Sequence, residues 1–292
     1  MHSPKVSVII PAYNVREYIG TSIQSVLGQT FTDLEVIVVD DGSQDGTSEA
    51  VLYYGDPRIR LTAHHQREGP SASRNTGLDM ANGEWIAILD ADDWWDPSRL
   101  ERLLGYAEAR TLDIVGDDLW ICETKGGSTA TTWKSKHFGD RFSHFGKDLD
   151  AADIAALDIH AIQPIARKET LTRSNLRWRK GMHYSEDFYF LMDAVRRHAR
   201  IAVYPEALYY YRKNREHSLT SNLLKTFKGN LEAARYYAAK LDLDTGTRNL
   251  LVKRMRYFQV LFYVSWVAYR VFPGPTVSGT VLNLYRRIVR GA

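Results

Sequence analysis

Four short runs rich in β-branched and apolar residues, Lys5–Ile10, Leu34–Val39, Ile59–Ala63 and Glu84–Leu89, punctuate the first ninety residues. Segments of helical spacing separate them. Ile19, Ile23, Val26 and Leu27 share one face and end at Gly28; Val51 and Leu52 follow a cap at Ser43 or Asp45; Ala72, Gly77, Leu78 and Met80 follow Gly69-Pro70-Ser71 and close near Gly83. Strand alternating with helix through short links specifies an α/β chain with a mostly parallel, Rossmann-like central sheet covered on both faces. Ligands on such sheets sit beyond the C-terminal ends of the strands. The polar residues Tyr13, Asp40, Asp41, Asp90 and Asp92 fall at those ends, so separate segments converge on one rim.

The most pointed of these ends is Ile88-Leu89-Asp90-Ala91-Asp92-Asp93. Clustered carboxylates repel one another and are best tolerated around a divalent cation or ligand donors. Hard oxygen ligands of this kind suit Mg or Mn rather than zinc. A bland alternative also fits: a strand ending in an acidic turn, with Asp96 capping a helix from Pro97 to Ala109.

Beyond Asp117 the pattern loosens. Trp120–Glu123, Thr129–Trp133 and Ala161–Ala166 read as strands of a less regular half, and Gly126-Gly127-Ser128 as a hairpin turn. His183–His198 reads as a helix with Glu186 and Asp187 in its first turn; Ile201–Tyr204 and Leu208–Arg212 read as two short strands, and helices follow from Asn222.

A chain of 292 residues with 44% apolar content can bury a full core. The lone Cys122 allows no intramolecular disulfide and fits a reducing, cytoplasmic setting; Val6–Ile10, closed by Pro11, is too short for a signal peptide. Net charge is only +3, yet after Asp244 no acidic residue occurs while Arg and Lys recur from Arg248 to Arg290. Within that tail Tyr257–Val271 is apolar and aromatic, shorter than the roughly 20 residues of a bilayer span. A basic, aromatic helix lying on an anionic inner leaflet fits the composition, as does packing on the catalytic domain or in a homo-oligomer interface. Nucleic acid suits so apolar a tail less well than a lipid or protein surface.

The stretches VSVIIPAYN, VVDDGSQDGT, GPSASRNTGL, ILDADD and SEDFYF occur in this order over about residues 5–220. The chain thereby resembles the family 2 glycosyltransferases of GT-A fold, especially the bacterial enzymes that build exopolysaccharides and other surface glycans. The resemblance implies a catalytic domain over 1–220, with a nucleotide-sugar half (1–116) and an acceptor half (117–220), and a C-terminal helical extension over 221–292. It also implies a UDP-sugar donor, a divalent cation and a glycan acceptor, which a membrane-bound tail would meet as a polyprenyl-diphosphate-linked sugar.

Residue by residue, the resemblance places Pro11 and Tyr13 around uracil, Asp41 on its N3–H, Arg74 beside the nucleotide and Asp90 on the ribose hydroxyls. Asp92, with His217 as a further ligand, would hold the metal that neutralises the leaving diphosphate. Asp187 would be the base of an inverting transfer, kept ionised by the positive end of its helix. Each has a plainer reading: a turn, a helix cap, a surface residue or, for one of Trp94 and Trp95, core packing. The family's Asn before GPSASRN is replaced by Gln66-Arg67, and Arg212 and Arg215 would pair with phosphate or be solvated. A processive synthase would place Gln-x-x-Arg-Trp after the base; here Arg177-Trp178 precedes it, with Ser174 in place of Gln. A pyrophosphorylase would need a Gly-rich, Lys-containing N-terminal loop. A non-catalytic nucleotide-sugar-binding scaffold is the remaining alternative.

Overall fold

The computed structural model describes residues 3–123, 131–132, 146–156, 163–181, 184–213 and 223–271. The first half runs β1 (Val6–Ala12), α1 (Ile19–Leu27), β2 (Leu34–Asp40), α2 (Thr47–Leu52), β3 (Ile59–Ala63), α3 (Pro70–Met80), β4 (Trp85–Ile88), β5 (Trp94–Trp95) and α4 (Arg99–Ala109). There follow β6 (Ile114–Glu123), β7 (Thr131–Thr132), β8 (Asp148–Leu149), α5 (Ala151–Ala156), β9 (Ile165–Arg167), α6 (Lys168–Arg173), α7 (Glu186–Arg196), β10 (Ile201–Lys213), α8 (Leu223–Ala238) and α9 (Thr245–Val271).

One sheet has the order β3-β2-β1-β4-β9-β6-β10-β5. β1, β2, β3 and β4 are mutually parallel, β9 runs antiparallel between β4 and β6, and β10 returns parallel to β6. The α/β class with a mostly parallel sheet is therefore as expected. Buried on both faces, β2 and β4 have no exposed residue.

Alternation along β1 divides the packing. Val6, Val8 and Ile10 join Ile19, Ile23 and Val26 of α1 and Leu100, Leu103 and Leu104 of α4 in one cluster. Ile9 points the other way, towards α3. There the Gly77 position meets it so closely that a Cβ would lie 2.4 Å from Ile9 Cγ2. Glycine at this point lets α3 lie flat against the sheet.

Of the two apolar residues read on α2, Val51 is buried and Leu52 is exposed. Two local expectations shift. The helix expected over His183–His198 is α7, Glu186–Arg196. The two strands expected over Ile201–Tyr204 and Leu208–Arg212 are one strand, β10, whose register shifts between Tyr204 and Tyr209. Pro205 lies in that irregular stretch; without an N–H it cannot continue a regular ladder.

Cα packing divides the chain into two units. The first is Met1–Ile154, Asp158–Met182 and Glu186–Arg215; the second is Ala155–Leu157, His183–Ser185 and Glu216–Ala292. Within the second, α8 and α9 pack through Phe227, Leu231, Phe258 and Leu261. Among the described residues no helix is long and apolar enough to cross a membrane.

Candidate active site

Strand register builds the rim. Ala12 pairs with Asp40 and Asp40 with Ala63, so Tyr13, Asp41 and His64 leave the sheet side by side. The turn after β1 is stitched to the segment after β2: the Asn14 N–H donates to Ser43 Oγ, the Val15 N–H to Thr47 Oγ1 and the Arg16 N–H to Asp45. Asp45 also accepts the Thr47 N–H at the start of α2.

Asp41 is buried and already accepts from His64 Nδ1 and the N–H groups of Glu68 and Gly69. An ionised carboxylate offers about four acceptor positions, so one remains for a ligand donor. Pro11 and Tyr13 are half-buried. The Arg67 guanidinium, which stands near the place of the family's Asn, lies 4.0 Å over the Tyr13 ring.

The acidic turn after β4 is held from two directions. Ser22 Oγ of α1 donates to the carbonyls of Ala91 and Asp93. From β10, the Tyr209 hydroxyl donates to Asp93 Oδ2 at 2.7 Å and the Arg212 N–H to Asp93 Oδ1 at 2.7 Å. Asp93 is thus a buried anchor; burial first, then Asp92 and Asp90, push its carboxyl well above the ordinary range. Arg212 donates through Nε to the Asp92 carbonyl and stacks between the rings of Tyr18 and Trp94. Trp95 is core, whereas Trp94 is half-buried and stacked on Tyr210.

Asp90 is gripped by Arg74 Nη2 at 3.1 Å and Gln163 Nε2 at 2.8 Å. Arg74 is not the exposed helix residue that was one reading. It is 2% exposed, and its Nη1 also reaches Glu186 Oε1 at 3.2 Å and Asp187 Oδ1 at 3.3 Å. One guanidinium thus binds the carboxylate at the end of β4 to two carboxylates at the start of α7. The structure brings Asp187 and Asp90 together around that cation.

The helix start does not hold Asp187 low. Burial raises its carboxyl to about 7 against the opposing pull of Arg74, with Glu186 and Asp90 adding to the rise. A carboxylate poised near neutrality and held by one cation is suited to accept a proton.

The metal expectation rests on Asp92, which is half-buried. His217 lies outside the described residues. Among the described residues no three His, Cys, Asp or Glu side chains converge as a complete metal cage. Mg²⁺ is commonly held by one or two carboxylates, with substrate phosphates and water completing the shell. A single oxygen ligand beside Asp90 and Asp93 fits that chemistry.

Sequence reasoning missed the support. Arg99, fully buried, donates to Asp117 at 2.7 Å and to the Gln163 carbonyl at 3.0 Å. Gln163 in turn donates to Asp90. A continuous polar chain therefore runs from the Asp117–Arg99 pair to Asp187. The available signal was Arg99 four residues before Leu103, on the apolar stripe of α4.

Residues 7–167 match the family model described as glycosyl transferase family 2. The chain is 31% identical to the succinoglycan biosynthesis protein ExoO of Rhizobium meliloti (strain 1021), over 88% of this chain and 74% of that one.

The chain belongs to glycosyl transferase family 2.

The transferase is also 45% identical, over 33% of its length and 38% of the other's, to the Escherichia coli UDP-Glc:alpha-D-GlcNAc-diphosphoundecaprenol beta-1,3-glucosyltransferase WfgD. Its fold resembles S. aureus TarS 1-349, solved in complex with UDP-GlcNAc: the TM-score is 0.69 at 22% identity, covering 88% of this chain and 73% of that one.

Proposed function

We propose that this transferase moves a hexose from a UDP-sugar to a hydroxyl of a glycan acceptor, with inversion at the anomeric carbon. The observation that carries the reading is the Arg74 hub, where Asp187 stands with a proton affinity near neutrality, tied to the carboxylate that ends β4. Asp187 takes the acceptor hydroxyl's proton as that oxygen attacks the sugar and the bond to the diphosphate breaks. Pro11 and Tyr13 flank the uracil, Asp41 accepts its N3–H, Asp90 binds the ribose hydroxyls and Arg74 fixes Asp90 against the base. Asp92, with His217, would hold Mg or Mn, and that cation would supply charge neutralisation for the departing diphosphate. Residues 1–116 serve the donor and 117–220 the acceptor.

The names of the relatives support a place in exopolysaccharide or surface-glycan assembly. The substrate in WfgD's name, a diphosphoundecaprenol-linked sugar, supports a lipid-linked acceptor. Such a substrate sits at the inner face of the cell membrane, where a cytoplasmic enzyme would meet it peripherally. On α9, Lys253, Arg256, Val260, Tyr263 and Trp266 are exposed, a basic and aromatic combination suited to an anionic leaflet.

The test is UDP release from a panel of UDP-hexoses with Mn²⁺ and a polyprenyl-diphosphate-linked acceptor. Turnover that needs the acceptor and is abolished by a chelator is expected. Tight donor binding without turnover on any acceptor would replace the enzyme with a binding protein.

A further inference from the structure

Two consecutive residues of α3 reach in different directions. Arg74 grips Asp187. Asn75, buried beside it, forms a two-way clamp on a segment outside any helix or strand: its Nδ2 donates to the Trp178 carbonyl at 2.7 Å, and its Oδ1 accepts the Trp178 N–H at 3.0 Å. The clamp fixes the Trp178 backbone completely.

The indole is fixed as well. Trp178 is 2% exposed and stacks on Phe190, with ring centroids 4.4 Å apart and planes 7° from parallel. Phe190 lies three residues after Asp187 on α7, hence on the same helical face. One turn of α3 therefore grips the Asp187 helix twice, at the carboxylate through Arg74 and at the ring beside it through Asn75 and Trp178.

What remains is the indole Nε1–H. It is buried and has no partner at full hydrogen-bonding geometry. A buried N–H left unpaired is costly, and such groups call for an explanation. The acceptor it faces is the Asp187 carboxylate, on which it acts to favour the ionised form. Contacts of this kind are often long in a ligand-free site and tighten in the working complex.

We infer that Trp178 is a positioning residue for Asp187: its indole N–H, held by the Asn75 clamp and the Phe190 stack, donates to the ionised carboxylate and releases it as the carboxyl takes up the acceptor's proton. The inference rests on the reading of Asp187 as base. The charged groups around that carboxylate are Arg74 from α3, Glu186 on its own helix and Asp90 from the turn after β4; Trp178 is the neutral donor among them.

Trp178→Phe keeps an aromatic ring against Phe190 and removes the N–H together with the rest of the pyrrole ring, whose lost packing acts equally at every pH. Losing a hydrogen bond to a charged group displaces a carboxyl by roughly one pH unit upward. The acid limb of kcat should therefore move up by about one unit, with about tenfold loss near pH 6 and recovery at high pH, while KM for the donor stays within about twofold. A purely structural indole would lower kcat evenly across pH. An acid limb unmoved in Trp178→Phe overturns the inference.

A second measurement needs no variant of Trp178. With ¹⁵N-labelled tryptophan, one indole N–H resonance should titrate near neutral pH in the intact protein and stop doing so in Asp187→Asn. No titrating indole resonance would equally overturn it. Full activity in Asp187→Asn would instead sink the base assignment itself, so the two failures are distinguishable.

Discussion

Replacing Asp187 by Asn should make the protein more stable and nearly inactive, and the gain in stability should depend on pH. In the folded chain burial raises this carboxyl from an ordinary 3.8 to about 7. The sign is opposite to that of a salt-bridged aspartate. Between those values the native state binds a proton that the unfolded chain does not, so stability falls as pH rises from about 4 to about 7. Each pH unit of that interval is worth about 1.36 kcal/mol. The accumulated cost is on the order of 1–2 kcal/mol near pH 5 and roughly 4 kcal/mol near pH 8, where it is complete. Below about pH 4 both states are protonated and nothing is lost.

An asparagine keeps the shape, accepts from Arg74 through its amide oxygen and never ionises. Arg74 retains Asp90 and Glu186 as counter-charges. Urea unfolding of both proteins across about pH 5 to pH 8 measures the effect, with transfer assayed in parallel. The variant should gain on the order of 1–2 kcal/mol near pH 5 and up to roughly 4 kcal/mol near pH 8, while kcat falls by orders of magnitude. A gain independent of pH would show that Asp187 is not the buried group whose ionisation costs stability. A loss of stability at every pH would mean that Arg74 needs this charge more than burial opposes it.

Two further outcomes are expected. Gly77→Ala should destabilise the fold by about 1–3 kcal/mol, since its methyl would meet Ile9 Cγ2 at 2.4 Å, and should lower transfer as well by displacing Arg74 and Asn75 on the same helix; thermal unfolding with a transfer assay tests it. Removing residues 245–292 should reduce co-sedimentation with vesicles containing anionic lipid, a loss that added salt should mimic in the intact chain; equal binding by the shortened protein would exclude this segment as the membrane contact.

The strands that build the rim were legible because their signal is local. β1, β2 and β4 are buried on both faces, so each appears as a mostly apolar run, interrupted only by the buried Ser7 in β1 and Glu35 in β2, and the rim's polar residues follow at or just past each strand's end. β6 was harder. It runs for ten residues, Ile114–Glu123, but Asp117 and Asp118 in its middle looked like the end of a pattern. Both are buried, and Asp117 is neutralised by Arg99 from α4. An acid inside a strand reads as a break until its distant partner is known. The same applies to Gln163, whose contact with Asp90 spans 73 positions, and to Asn75, whose clamp on Trp178 spans 103.

Arg74 shows the limit most clearly. As a helical arginine it reads equally well as a solvated surface residue or as a nucleotide contact. What decides its surroundings is the small size of its neighbours Ser71, Ala72, Ser73 and Gly77, which let α3 sink against the sheet until the guanidinium has only carboxylates for company. Three acids share that one cation, so their charges are not fully offset, and Asp187, on which burial is the largest effect, takes the residual cost as a raised proton affinity. A site designed only for stability would omit one of those acids. Retaining Asp187 there makes sense if its proton traffic, rather than its contribution to folding, is what the buried arrangement serves.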